Sequence, residues 1–312
     1  MQLFISEGLA TCAVPLFFVF AAYLQVKKSD PYGVLLRKRT KTLLTPYILW
    51  LGLYFFCRRG LKLLLSLYAP QFLNNPSQTF IAWSLDDWIK EFLGYRIDGI
   101  LGPPALAGQF WFVRDLIILV VISPLLRTLV QKFGTGFLII VSILYFTQTK
   151  IYILETHALF FYVIGLYWGD KLPLLENVDK ITWLESIIVF LGTFFSTYLL
   201  YGKESMLYGC LMIASCTLLL KFSTLIITHE KAFNIAAYFS VFSFFLYAIH
   251  MPVLTVSLLK IWLKFFPMKN AFFCLFEYFG LSILTIVIGT GIGIGLRKVC
   301  PPAFALFNGG RK

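Results

Sequence analysis

Apolar residues fall in long blocks along this chain, separated by short polar stretches. A helix needs about 20 mostly apolar residues to cross a hydrocarbon core. Blocks near residues 3–24, 41–57, 108–127, 136–150, 155–170, 182–201, 205–222, 236–262 and 272–296 meet or approach that length. They predict an all-α polytopic transmembrane helical bundle of about nine spans, the fourth and fifth short. Between the second and third blocks lie Asn74-Asn75-Pro76, Asp86-Asp87 and Gly102-Pro103-Pro104. Trp83 and Trp88 suit a membrane boundary, and Leu61 to Leu67 is amphipathic, so this segment is expected to hold interfacial helices. No internal repeat is visible.

Composition sharpens that picture. The 312 residues are 59% hydrophobic and 18% aromatic, only 13% are charged, and the mean hydropathy is +0.81. Soluble domains average about 45–50% apolar. With no long polar stretch, residues 1–312 read as a single membrane-embedded domain. The net charge of +12 suits basic loops facing anionic lipid and does not call for nucleic acid. Lys27, Lys28, Arg37, Lys38, Arg39 and Lys41 crowd the first loop, while Arg297, Lys298, Arg311 and Lys312 close the chain. Counted over alternate loops, that bias predicts an outward amino terminus and a cytoplasmic carboxyl terminus. Cys12, Cys57, Cys210, Cys216, Cys274 and Cys300 show no CxxC or Cys/His spacing, so they read as small hydrophobes and no metal is expected. Met1 to Glu7 lacks the basic start of a secretory signal.

A few polar residues interrupt the apolar blocks. Arg114 and Asp115 sit inside 108–127, where an ionised side chain costs roughly 2.5–3.5 kcal/mol on insertion scales. Adjacent on a helix, they diverge by about 100° and are expected to need different partners. One reading is a structural ion pair clamping helices; the other is a polar site for a charged ligand. Trp111, one turn before Arg114, suits either a membrane belt or stacking on the guanidinium or a sugar ring. His250 precedes Pro252 by two residues, and a proline there frees a backbone carbonyl that the imidazole could satisfy. An imidazole with a pKa near 6.5 also suits proton transfer from a hydroxyl. Glu7 is a candidate partner for a basic residue. His157, with Glu155, and His229, beside Glu230, read as boundary residues. Gly289-Thr290-Gly291-Ile292-Gly293-Ile294-Gly295 looks like a nucleotide loop but has no preceding strand, so close helix packing accounts for it better. No Ser-His-Asp set, nucleophile elbow or paired-carboxylate motif appears.

Four segments, in order, resemble one known family. Val14-Pro15-Leu16-Phe17-Phe18 through Tyr23-Leu24 is similar to its VPLFFxxSGYL span. Arg37-Lys38-Arg39-Thr40-Lys41 through Thr45-Pro46-Tyr47 is similar to its basic entry into the following span. Phe110-Trp111-Phe112-Val113-Arg114-Asp115-Leu116 with Ser123-Pro124-Leu125 resembles WFLRDL…SPL. Phe244-Phe245-Leu246-Tyr247-Ala248-Ile249-His250-Met251-Pro252 resembles FxLYxIHxP. Together they resemble the acyltransferase 3 family of integral membrane O-acyltransferases over nearly the whole chain. Ala21-Ala22 stands where the family has Ser-Gly, and the small residues still permit close helix approach.

The resemblance implies a ten-span domain in a bacterial cytoplasmic membrane. Such a domain moves an acyl group, commonly acetyl from acetyl-CoA, to a hydroxyl of a cell-surface glycan or lipid-linked sugar. It implies no bound cofactor, with acyl-CoA as donor substrate and membrane lipids as surroundings. Arg114 and His250 are then the expected catalytic site lining, and Trp111 and Glu7 candidate substrate contacts. Arg37, Lys38 and Arg39 are expected to hold the donor's phosphates, because arginine forks suit phosphate oxygens. The family's first span carries an Arg and, ten residues on, a His taken as catalytic base. The sequence begins just before the counterpart of the second span, so that base is not among these residues. Two alternatives stay open: a transporter or flippase for a polysaccharide or lipid-linked sugar, and a truncated, inactive family member.

Overall fold

A computed structural model describes residues 3–68, 83–94, 102–149, 151–152, 154–171, 178–201, 206–266 and 270–311. Asn74-Asn75-Pro76 and Lys312 lie outside the described residues. Among the described residues the regular structure is helical, apart from an isolated antiparallel bridge between Ile151 and Leu154. That agrees with an all-α membrane protein.

Among the described residues four helices are long and apolar enough to cross a membrane: Leu3–Lys28, Met206–Thr228, Ser243–Phe265 and Ala271–Val299. The expected total of about nine is not reached on length and composition. Thr135–Phe146 has 12 residues and Thr156–Lys171 has 16, both below span length. Trp111–Phe133 has the length, with 23 residues, but it carries Arg114, Asp115, Arg127 and Lys132. The block expected at 236–262 divides into Glu230–Ser240 and Ser243–Phe265, and the second of these is itself interrupted. Met251, at φ −122° and ψ 152°, is non-helical. The residue before a proline is pushed toward extended backbone, so Pro252 accounts for the break.

The chain forms two compact units, Met1–Leu36 with Ile118–Tyr238, and Arg37–Ile117 with Phe239–Lys312. In the first, Leu3–Lys28 and Thr156–Lys171 pack side by side in the same direction. Gly165 meets Val19 and Ala22, and one turn on Gly169 meets Val26. A Cβ on Gly165 would lie 2.3 Å from the Val19 carbonyl oxygen, so only glycine allows this approach. Across the same unit Ser215 donates to the Gly8 carbonyl at 2.9 Å and Tyr145 to the Gly209 carbonyl at 3.1 Å. Phe4, Phe190 and Phe194 close its far end edge to face.

In the second unit, Thr45–Phe55, Leu85–Leu93, the start of Trp111–Phe133, Ser243–Phe265 and Ala271–Val299 surround an aromatic core. Trp50 packs against Tyr54, Phe245 and Phe307. Gly289 meets Leu246 and Leu254, and Gly293 meets Phe242 and Phe245, so these two glycines serve helix packing as expected. Leu85–Leu93 carries a full capping box. Ser84 accepts from the Asp87 amide at 3.3 Å, and the Asp87 carboxylate accepts from Ser84, which holds that exposed carboxyl below its usual range. The amphipathic stretch forms the helix Leu61–Tyr68.

Gly165→Ala is expected to destabilise the first unit by about 1–3 kcal/mol through overpacking. The reading is a lowered thermal midpoint in detergent. Gly192→Ala is the control, since nothing lies within 4 Å of its Cβ position. An equal effect of both changes would defeat the packing argument.

Candidate functional site

The site lies in the second unit, where the break in Ser243–Phe265 leaves carbonyls without helical partners. Pro252 has no N–H to give the carbonyl four residues back, which belongs to Ala248. His250, one candidate for that carbonyl from the sequence, does not satisfy it. Tyr54 donates to the Ala248 carbonyl at 2.6 Å and to the Met251 carbonyl at 2.9 Å. The Gln109 amide donates to Ala248 at 3.2 Å and makes a short bond to Met251. His250 turns back on its own helix instead, its Nδ1 lying 2.5 Å from the Tyr247 carbonyl. A carbonyl can only accept, so Nδ1 carries the hydrogen. The neutral ring then keeps its lone pair on Nε2.

The two motif segments meet at this point. The Tyr247 hydroxyl makes a short bond to the Gln109 carbonyl, and Phe110 and Phe112 pack edge to face on the Tyr247 ring at 5.8 and 4.8 Å. Residues 109–112 and 244–252 are therefore one structural feature, with half-buried His250 in it. Trp111 opens the helix Trp111–Phe133 and is half-buried there.

Arg114 and Asp115 are both buried, at 5% and 0% exposure, and they pair with each other. Arg114 Nε donates to Asp115 Oδ1 at 2.9 Å, which overturns the expectation of different partners. Cβ directions do diverge, but an arginine reaches far enough to fold back on its neighbour. Its Nη1 donates to the Leu93 carbonyl at 2.5 Å and to the Gly102 carbonyl at 2.6 Å. Leu93 ends the helix Leu85–Leu93, so the guanidinium sits at a negative dipole end. Nη2 lies 2.8 Å from Asp115 Oδ1, with no hydrogen bond of good geometry among the described residues. The charge is neutralised while that donor is not satisfied. Beside it Gly94, at φ +78°, turns the chain so tightly that a Cβ would lie 2.1 Å from the Gly102 carbonyl oxygen.

The basic group lies at another edge of this unit. Arg37 and Lys38 are exposed and Arg39 half-buried, at the end of Tyr32–Arg39. The chain's last turn runs against them: Gly309 backs on the Thr42 carbonyl, and Arg311 lies over the Phe244 ring at 5.0 Å. Burial first, then the like charge of Arg39, presses the Arg311 pKa downward. Phe244 precedes His250 by six residues, so their Cα atoms stand about 9 Å apart along the helix axis. Glu7 lies in the first unit, where its backbone carbonyl accepts from Tyr198 at 3.4 Å, and it is not among these groups.

Sequence reasoning missed several residues. Gln109 and Tyr54 carry no signal beyond their type, because their role depends on what they face. Arg59 and Glu91 form a two-bond ion pair at 2.9 and 3.2 Å, with Arg59 over the Trp83 ring, and no motif announces it. Glu277 was within reach, being a carboxylate inside the 272–296 block. Its Oε2 and the Trp262 indole N–H are buried without hydrogen-bond partners among the described residues.

Asp115→Ala is expected to cost about 3–5 kcal/mol by leaving the Arg114 charge uncompensated. Arg114→Met with Asp115→Leu should cost distinctly less than the two single changes added together. Denaturation midpoints in detergent give the cycle, and additive losses would contradict a coupled pair.

The model of the acyltransferase domain of the acyltransferase 3 family matches residues 1–296. No curated protein and no solved structure matches the chain. The match spans both motif segments and the basic group, and it agrees with the apolar helices. The chain therefore belongs to the acyltransferase 3 family of membrane proteins.

Proposed function

We propose that this protein transfers an acyl group, most simply acetyl, from acyl-CoA to a hydroxyl of a cell-surface glycan or lipid-linked sugar in a bacterial cytoplasmic membrane. The observation that carries this reading is the junction of residues 109–112 with 244–252, which holds His250 with its lone pair on Nε2. An acceptor hydroxyl can donate to Nε2, and its oxygen is then oriented toward the thioester carbonyl. In the reaction that oxygen forms the new ester bond and the carbon–sulfur bond breaks. The hydroxyl proton passes to a base and then to the departing thiolate. His250 is assigned the orientation of the acceptor.

Arg37, Lys38 and Arg39 supply the donor's phosphate contacts, and the cytoplasmic side is the one where acyl-CoA is found. That agrees with the loop bias in Lys and Arg, an outward amino terminus and an inward carboxyl terminus. Arg114 is a positioning residue: buried and bonded to two carbonyls, it fixes the turn from which Gln109 and Trp111 extend. Trp111 offers an aromatic face to the acceptor sugar.

The test uses membranes holding the protein, labelled acetyl-CoA and candidate glycans. His250→Gln is expected to lower kcat about 10- to 100-fold, the loss of one hydrogen bond of roughly 1–3 kcal/mol. Arg37→Ala with Arg39→Ala should instead raise KM for acyl-CoA, with little change in kcat and weaker salt dependence. Transfer that is indifferent to both sets would sink this assignment of the site. Glycan carried across the membrane without label would favour a transporter.

A further inference from the structure

The first unit holds a cavity of about 200 Å³, walled by Leu16, Phe161, Trp168, Ile213, Thr217 and Leu220. Leu3–Lys28, Thr156–Lys171 and Met206–Thr228 line it, together with Val178 and Ile181. The lining is almost wholly apolar. The one hydroxyl among those six residues, Thr217 Oγ1, is already engaged with the Ile213 carbonyl at 3.1 Å. Even an engineered void of about 150 Å³ with such walls takes up apolar molecules and not water. The chemistry this cavity accepts is therefore aliphatic.

A charge stands next to this lining. Lys221 follows Leu220 and lies one helical turn beyond Thr217. It is buried, at 7% exposure. Among the described residues its ammonium reaches the Asp179 carbonyl alone, at 3.4 Å, on the turn between the lining residues Val178 and Ile181. Among the described residues no carboxylate lies within ion-pair distance of Lys221. A buried cation with one long contact to a carbonyl is poorly compensated, because buried charges are otherwise paired. The same end of the unit is basic. Lys27 and Lys28 close the helix that Gly165 and Gly169 set parallel to Thr156–Lys171, and Arg127 faces Asp170 there at 3.7 Å.

We infer that the first unit binds an anionic phospholipid, one acyl chain in this cavity and the phosphate against Lys221. The phosphate provides a counter-charge that the described residues do not give Lys221, and the chain fills a space that water does not enter. A zwitterionic lipid would bring its own cation against the Lys221 ammonium, so the site selects for net negative headgroups. This inference does not rest on acyl transfer and stands whether or not the second unit is active.

The purified full chain, in nanodiscs of equal parts phosphatidylglycerol and phosphatidylcholine, would be released into native mass spectrometry. One phosphatidylglycerol per chain is expected, retained at least about tenfold over phosphatidylcholine. Lys221→Met should abolish that preference, and Thr217→Phe should abolish retention. Lys27→Met, an exposed lysine at the same end, should leave both unchanged. Equal loss in Lys27→Met would mean general surface attraction and overturn the proposal. So would a preference that survives Lys221→Met, or a retained neutral lipid or free fatty acid. Fluorescence of the unmodified protein gives an answer that needs no lysine variant. Phosphatidylglycerol with brominated chains should quench Trp168, read as the difference from Trp168→Phe, and no quenching would also overturn the proposal.

Discussion

A helix that breaks at membrane depth exposes carbonyls in a medium with no water to receive them, and every one must find a donor within the protein. The break at Met251 creates that demand, and the rest of the candidate site follows from how it is met. Tyr54 and Gln109 supply the donors, which ties Thr45–Phe55 and the start of Trp111–Phe133 to the broken helix. Tyr247 completes the clasp in the other direction by donating to Gln109. His250 is thereby released from the work of satisfying the break. It spends only Nδ1 on its own helix, and Nε2 keeps the lone pair.

The Arg114–Asp115 pair extends the same logic to charge. Ionised groups at 5% and 0% exposure persist only when paired and hydrogen-bonded, and here one guanidinium meets a carboxylate and the carbonyl end of Leu85–Leu93. The capping box at Ser84, the left-handed Gly94 and the Arg59–Glu91 pair fix that short helix from its other sides. The motif's most conspicuous charges are thus turned inward, bonded to each other and to backbone carbonyls. In the first unit Lys221 shows the reverse condition, a buried charge whose one contact among the described residues is the Asp179 carbonyl. That contrast makes it, and not Arg114, the group that calls for an external anion.

What was legible in the sequence came from local chemistry. Composition and block length determined an all-helical membrane protein, since no soluble core uses so many apolar residues. Motif order pointed to the family, and the small residues at Ala22, Gly289 and Gly293 announced close helix contacts. Pro252 announced a break. Tertiary structure alone decided what answered each of these signals. Nothing local says that Ala248 is served by Tyr54 and Gln109, or that Arg114 folds onto Asp115, because helical periodicity reports which face a residue occupies and not what lies opposite. The same reason hid Lys221, which reads as an ordinary lysine near a helix end until the structure buries it and sets its ammonium on the Asp179 carbonyl.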